Sequence, residues 1–227
     1  NGASGPLDYN VATGDARYLD MVEAVMYNAF HSGWSLDGDQ FFYPNPLASR
    51  GATRPAWFAC ACCPPNVCRF VPAIPGFAYA TGLLPTLHGE PDSGGHSLYV
   101  NLYMAGTAAI PLDHHTITVR QTTNYPWDGQ IAITLTPDEP IDLPILLRIP
   151  GWAKGNAVPL DLYRYFAYTD NPVSIRLNGR AVVPKFENGF AVIERKWNKG
   201  DVVELDLPMQ TQRVQADNRV EADAGRF

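Results

Sequence analysis

The sequence predicts an α+β protein, with helices over about residues 1–92 and an antiparallel β-sandwich over residues 93–227. Apolar residues recur at helical spacing before residue 90, whereas from Ser97 onward they alternate with a period of two. The composition agrees with this division. Apolar residues make up 46% of the chain, charged residues only 18%, and there are 19 glycines and 20 prolines. Such a mixture is typical of a β-rich protein with many turns.

The first helix is predicted to begin at Asp15, which is a favourable N-cap residue after Thr13 and Gly14. We expect it to end near His31–Gly33, because Gly33 can adopt the left-handed conformation common after a helix. Between these points apolar residues follow a near-helical spacing at Tyr18, Met21, Val22, Val25 and Phe30.

A second helix is predicted to begin at Pro64–Asn66, since proline suits a first helical turn, where its missing N–H would have no partner. Pro72 and Pro75 should make this helix short or kinked. Between the two helices, residues 41–43 form a short extended piece after an Asp37–Gly38 turn.

Seven short segments of alternating pattern are predicted to be the strands of the sandwich. Turn residues such as Pro150–Gly151 and Asn178–Gly179 separate them, whereas residues 153–171 are expected to form a long loop. The segments are 98–103, 116–120, 130–135, 145–149, 173–177, 190–195 and 202–207.

The charge pattern argues against nucleic acid and membrane partners. The net charge is −6 and no cluster of Lys or Arg is present, so no long-range attraction to an anionic surface is expected. No apolar run approaches the ~20 residues that a bilayer span requires. The chain begins at Asn1 rather than Met, and we expect it to be cut from a longer protein. The cellular compartment is left open.

All four cysteines lie within nine residues, at positions 60, 62, 63 and 68. A disulfide framework would spread its cysteines over distant segments, so clustering favours other roles. Three interpretations remain open from the spacing: a structural metal site, inert buried thiols, or a reactive nucleophile. Cys62 and Cys63 precede a predicted helix, where backbone N–H groups and the helix dipole stabilise a thiolate.

Several motifs resemble, in order, those of the bacterial β-L-arabinofuranosidases of glycoside hydrolase family 127 and its relatives in family 146. The clearest is Trp57-Phe58 followed by Cys62-Cys63-Pro64-Pro65-Asn66 and Arg69. The resemblance spans nearly the whole chain. The other matching segments are 27–28, 35–38, 42–47, 98–103, 125–129, 148–152, 197–201 and 207–209.

The resemblance implies a retaining glycosidase with an (α/α)6 barrel followed by β-sandwich domains. Residues 1–92 would then be the last helices of the barrel. Residues 93–227 would be one sandwich or two smaller ones, incomplete at the C-terminus. By the resemblance, Cys62 is the nucleophile, and Cys62 and Cys63 both bind zinc. A glutamate, a cysteine and a glutamate acting as general acid/base would come from upstream barrel segments that this chain lacks.

The resemblance also implies that Glu23 and Tyr43 contact the sugar of a glycan substrate. The alternatives are a solvated helix face for Glu23 and aromatic packing beside Phe41 and Phe42 for Tyr43. Cys60 and Cys68 are predicted to be packing residues, as are Trp127, Trp152 and Trp197. The alternative function is a non-catalytic, carbohydrate-associated β-sandwich module with a structural cysteine cluster.

Overall fold

A computed structural model describes residues 13–41, 46, 48–57, 60, 62–83, 96–168 and 171–225. Helix α1 (Arg17–Ala24) continues into a π-helical turn (Val25–Phe30) and a 3-10 turn that ends at Gly33. Helix α2 (Cys63–Phe70) continues into a 3-10 segment (Val71–Phe77). Within the described ranges, no helix is both long enough and apolar enough to cross a bilayer.

The described strands form three sheets. A five-stranded sheet has the order β1-β2-β6-β11-β10, a six-stranded sheet the order β3-β4-β5-β12-β8-β9, and β7 pairs with β13. Every pairing is antiparallel except that between β2 and β6. The strands are β1 (Tyr79–Leu83), β2 (His96–Val100), β3 (Gly106–Leu112), β4 (His115–Thr123), β5 (Gln130–Pro137), β6 (Ile141–Arg148), β7 (Tyr163–Tyr165), β8 (Ser174–Leu177), β9 (Arg180–Ala181), β10 (Lys185–Glu187), β11 (Phe190–Trp197), β12 (Asp201–Asp206) and β13 (Val214–Ala216).

The two large sheets share one hydrophobic core. Alternate residues of β2 and β6, such as Leu98 and Ile145, contribute to the same buried cluster as Ile117 of β4 and Ile133 of β5. Because side chains alternate across a strand, one face of each sheet supplies this core. Trp197 is fully buried within it and donates its indole N–H to the carbonyl oxygen of Leu143 at 2.7 Å.

Helix α1 covers the outer face of the five-stranded sheet. Leu19 packs with Tyr99, Leu146 and Phe190 in a second buried cluster. The central strands β2 and β6 are therefore buried on both faces, which explains the unbroken apolar runs 98–100 and 145–147 within them. The helix start is held by a hydrogen bond of 2.9 Å from the backbone N–H of Ala16 to the carbonyl of Asn188.

A strand lies at each of the seven predicted positions, and the first helical segment ends at Gly33 as predicted. The expected reason is wrong, because Gly33 does not adopt the left-handed conformation. The second helix is short and becomes 3-10 before Pro72, as its prolines predict. Asp15 caps the first helix as predicted, although Ala16 is the residue that directly precedes the helix. The helix begins at Arg17, and the Asp15 carboxylate accepts the backbone N–H of Arg17 at 3.0 Å.

Several strands are not predicted by the alternating sequence pattern. β3 contains Pro111, which removes a backbone donor and is tolerated because β3 lies at a sheet edge. β7 lies inside the predicted loop 153–171, where its pairing with β13 extends the chain locally. The five-stranded sheet also includes β1, which lies before residue 93.

Candidate active site

Cys62 and Cys63 lie together at the start of α2. Their sulfur atoms are 3.8 Å apart, and the Cys62 side chain is exposed. The Asn66 side chain donates a hydrogen bond of 2.8 Å to the Cys62 carbonyl oxygen, which fixes the turn that carries both thiols. Pro64 and Pro65 occupy the first helical turn without loss of a hydrogen bond. The local sequence thus presents a pair of thiols at a helix N-terminus.

The spacing of the two sulfur atoms suits a tetrahedral zinc ion. Two thiolates, each about 2.3 Å from such an ion, stand about 3.8 Å apart, and the two sulfur atoms have that separation. Among the residues that the structure describes, no group of three or more Cys, His, Asp or Glu side chains could hold a metal. The two sulfur atoms are therefore spaced to supply two ligands of a tetrahedral ion, and the described residues alone do not complete such a site.

The two thiols also affect each other's ionisation. The hydrogen bond with Cys62 raises the pKa of the Cys63 thiol, and desolvation and the neighbouring thiols Cys62 and Cys60 add to this effect. One thiolate beside another is electrostatically unfavourable, and a nearby cation would offset this repulsion. The exposure of Cys62 makes the interpretation as buried, inert thiols wrong for this residue.

Cys60 and Cys68 are exposed, so the prediction that they are packing residues is wrong. Helix α2 packs through Phe70 instead, whose ring centroid lies 4.5 Å from that of Phe30 at the end of the π-helical turn. No disulfide joins any of the four cysteines, all of which lie in the described part of the chain.

A second polar arrangement joins α1 to the five-stranded sheet. Arg148, at the end of β6, is fully buried and donates to Asp20 at 2.7 Å and to Glu23 at 2.8 Å. Its third donor, Nε, bonds the Asn101 carbonyl oxygen at 2.6 Å. The Tyr125 hydroxyl donates to the other carboxylate oxygen of Glu23. We call Asp20, Glu23, Tyr125 and Arg148 the Arg148 cluster.

The charges of the Arg148 cluster shift the pKa values of its members. Burial acts to lower the pKa of Arg148, but the carboxylates of Glu23 and Asp20 more than offset it, so this pKa lies above its usual value. Burial raises the pKa of Asp20 despite the attraction of Arg148, and the charge of Glu23 adds to the rise. The carboxylates of Asp20 and Glu23 share one guanidinium, whose single positive charge balances only one of their two negative charges. The pKa of Tyr125 is strongly raised by burial and then by Glu23.

The Arg148 cluster opens onto a cleft of about 1110 Å³ between α1 and the segment after β6. Glu23 is only 6% exposed yet forms part of the cleft wall, so its predicted alternative, a solvated helix face, is wrong. Trp127 projects at the rim with 86% of its surface exposed. Tyr27 lies on the same wall, and burial together with the Glu23 charge raises its pKa to about 12.

The structure brings together some of the predicted site residues. Cys62 and Cys63 are in contact, whereas Glu23 lies on the cleft, whose described wall includes none of the cysteines. Tyr43 lies outside the described residues. The packing prediction is confirmed for Trp197 and wrong for Trp127.

Sequence reasoning assigned no role to Arg148 and Tyr125, although both lie in motifs that carry the family resemblance. One signal was available. Asp20 and Glu23 are three residues apart, so they share a face of α1 with the apolar residues that pack on the sheet. Two carboxylates on the packing face of a helix require a buried cation.

The comparisons with known proteins match the helical part of the chain and its sheets to two different family models. Residues 9–76 match the family model described as the catalytic domain of GH127 β-L-arabinofuranosidase. Residues 97–209 match the model of the GH127 middle domain. The chain belongs to glycoside hydrolase family 127. Within this family 127 chain, α1 and α2 lie in the part matched by the catalytic-domain model, and β3 to β12 lie in the part matched by the middle-domain model.

The relatives of this family 127 chain are much longer than the chain itself. A non-reducing end β-L-arabinofuranosidase of Bifidobacterium longum is 32% identical to it in an alignment of 226 positions that covers 92% of this chain and 30% of that protein.

Solved structures agree. A GH127 β-arabinofuranosidase structure superposes with a TM-score of 0.85 at 40% identity, over 96% of this chain and 32% of that one. A GH127 β-L-arabinofuranosidase from Geobacillus stearothermophilus T6 superposes with a TM-score of 0.77 at 32% identity, with the same shares covered. The chain therefore spans about a third of the length of its relatives.

Proposed function

We propose that this chain carries the nucleophile of a retaining glycoside hydrolase that releases β-L-arabinofuranose from the ends of plant-type glycans. The observation that carries the proposal is the Cys62–Cys63 pair, exposed at the start of α2 within the segment that matches the family's catalytic-domain model. The named relatives are all described as arabinofuranosidases, which supports arabinofuranose as the sugar that is released.

In the proposed first step, the Cys62 sulfur attacks the anomeric carbon, a C–S bond forms, and the bond from that carbon to the leaving oxygen breaks. A general acid gives its proton to the leaving oxygen. In the second step, water attacks the same carbon, the C–S bond breaks, and the water's proton returns to the acid/base group. Two displacements at one carbon retain its configuration.

We infer that Cys62 and Cys63 hold a zinc ion, to which their sulfur separation of 3.8 Å is suited. Bound there, zinc would keep a thiol ionised at neutral pH. The Asn66 hydrogen bond to the Cys62 carbonyl fixes the backbone that presents both sulfur atoms. Glu23 and Tyr43 are proposed to bind hydroxyl groups of the sugar.

We also propose the larger architecture. The helices before residue 78 would complete an (α/α)6 barrel, and the two sheets with their common core would form the β-sandwich behind it. The acid/base and two further zinc ligands would come from barrel segments outside this chain. The 227-residue chain by itself should therefore show no measurable hydrolysis, because loss of an acid/base group alone costs ~10²–10⁴-fold in rate.

The test compares Cys62→Ala with Cys68→Ala in the full-length protein that contains this chain, with an aryl β-L-arabinofuranoside as substrate. Cys62→Ala should lower kcat roughly 10³-fold or more. Cys68 is also an exposed thiol of the cluster and has no step in the mechanism, so Cys68→Ala should stay within about twofold.

A thiol-directed arabinofuranose analogue should label Cys62 in the wild-type protein and leave the Cys62→Ala variant unlabelled. Undiminished turnover by Cys62→Ala would contradict the proposed nucleophile. A full-length protein that binds glycans but hydrolyses no arabinofuranoside would instead be a non-catalytic carbohydrate module.

A further inference from the structure

The Arg148 cluster places an ordered carboxylate on the wall of a cleft. One oxygen of Glu23 accepts from Arg148 at 2.8 Å, and the other accepts from the Tyr125 hydroxyl. Arg148 is itself held from the other side, because Nε bonds the Asn101 carbonyl oxygen and Nη1 bonds Asp20. The orientation of Glu23 is therefore determined by residues of the sheet and of the β4–β5 turn, not by α1 alone.

The two carboxylates of the Arg148 cluster differ in their second partner, which is a backbone N–H for Asp20 and the Tyr125 hydroxyl for Glu23. Asp20 uses one oxygen for Arg148 and the other for the backbone N–H of Gly151 at 3.1 Å, and so it orients Arg148 and the chain after β6. Glu23, like Asp20, has one partner on each oxygen, and a carboxylate has about four acceptor positions. Two acceptor positions of Glu23 thus remain beside the cleft.

We propose that Arg148 and Tyr125 are positioning residues that hold the Glu23 carboxylate ready to accept hydrogen bonds from sugar hydroxyl groups in this cleft. The inference rests on the proposed function and deepens it. Sugar hydroxyls are hydrogen-bond donors, and an ionised carboxylate beside a guanidinium accepts only. Trp127 and Tyr27 on the same cleft offer apolar faces to the C–H groups of the sugar.

Two neighbouring tyrosines, Tyr103 fully buried and Tyr125 partly buried, provide a matched test. The ring centroids of Tyr125 and Tyr103 are 5.8 Å apart, but the Tyr125 hydroxyl bonds Glu23, whereas the Tyr103 hydroxyl bonds the Arg148 carbonyl oxygen at 2.5 Å. Each Tyr→Phe variant deletes one hydroxyl and keeps the ring. If both hydroxyl groups had only a structural role, each variant would be less stable than the wild type, and the two variants would bind substrate equally well.

The experiment measures kcat and KM of the full-length protein with an aryl β-L-arabinofuranoside and with its 2-deoxy and 3-deoxy analogues. Tyr125→Phe should raise KM for the intact sugar about tenfold with kcat changed much less. For the analogue that lacks the hydroxyl bound by Glu23, KM should be insensitive to Tyr125→Phe. Tyr103→Phe should keep KM within twofold for all three substrates.

Equal KM values for wild-type protein and Tyr125→Phe would overturn the inference, as would the same rise in KM for Tyr103→Phe. A rise in KM that is identical for the intact sugar and both deoxy analogues would also overturn it, because no single sugar hydroxyl would then depend on Glu23. Failure of the wild-type protein to hydrolyse the intact sugar would reject the proposed function itself, an outcome separate from these.

Discussion

The guanidinium of Arg148 donates a hydrogen bond of 2.8 Å to the carboxylate of Glu23, which lies 125 residues earlier in the chain. This contact joins the last residue of β6 to the last turn of α1, across the boundary between the helical part and the sheets. It also brings the segments 125–129 and 148–152 to a common place, since Tyr125 bonds the same carboxylate. A single buried cation thus organises one wall of the cleft.

Arg148→Met should destabilise the protein by about 3–5 kcal/mol, because it leaves the Asp20 and Glu23 carboxylates without their buried cation. Arg148 is fully buried between them, and the methionine restores much of its volume but none of its donors. Urea unfolding of each variant measures the change. Arg120→Met is the control, since Arg120 is exposed on β4 and should change stability by no more than about 0.5 kcal/mol. Equal losses in the two variants would contradict the prediction.

Asp201 should make stability depend on pH in the acid range. Its carboxylate accepts from the Asn178 side chain and from the Asn198 backbone N–H, both at 2.8 Å. Burial acts to raise the pKa of Asp201, but these hydrogen bonds and the charge of Arg195 outweigh it, so the pKa lies below the usual 3.8. As the pH falls, Asp201 is therefore protonated in the unfolded chain before it is protonated in the folded protein. The stabilisation is complete above about pH 4 and is lost as the pH falls through the lowered pKa.

Asp201→Asn should accordingly lower the free energy of unfolding by about 1 kcal/mol at neutral pH, and the difference from wild type should shrink below about pH 4. Asp206→Asn is the control, because Asp206 is exposed at the other end of the same strand. Urea unfolding at a series of pH values measures both. A difference that stays constant down to strongly acidic pH would show that ionisation of Asp201 contributes nothing.

Gly129→Ala should destabilise the turn between β4 and β5 by about 2 kcal/mol or more. A Cβ atom at this position would lie 1.9 Å from the Leu207 carbonyl oxygen, which belongs to the backbone and cannot rotate away. The same two residues are joined by a hydrogen bond of 2.9 Å from the Leu207 N–H to the Gly129 carbonyl.

Thermal unfolding followed by circular dichroism measures the effect of Gly129→Ala as a lowered Tm. Gly106→Ala is the control, since a Cβ atom added to Gly106, at the start of β3, would meet nothing within 4 Å. An unchanged Tm for Gly129→Ala would mean that the turn moves away from Leu207 at little cost.

Asn66→Ala should weaken zinc binding by the full-length protein about 10–100-fold, as is usual for loss of a group that orients metal ligands. The Asn66 amide holds the Cys62 carbonyl at 2.8 Å, and its removal frees the turn that presents the two sulfur atoms. Competition with a chelator measures the affinity. Arg69→Ala, an exposed change later in the same helix, should leave it unaltered. Comparable zinc affinity in Asn66→Ala and wild type would contradict the proposed role.

Much of the secondary structure could be predicted because its signals are local. A period of two in the sequence marks β4, β5 and β12, each of which presents one face to the common core. The short strands β7, β9 and β13 carry too few residues for a period to appear, and they exist through their partners. Their positions depend on contacts that the local sequence does not encode.

The sequence by itself determined the paired thiols at the start of α2, since two adjacent cysteines followed by two prolines leave few local arrangements. It also determined the family, through motifs spread along the chain. Only the tertiary structure decided that Glu23 is buried against Arg148 and held by Tyr125. The physical reason is that a charged side chain on a helix looks the same in sequence whether it faces water or a buried cation. Packing of α1 on the five-stranded sheet decides between these environments.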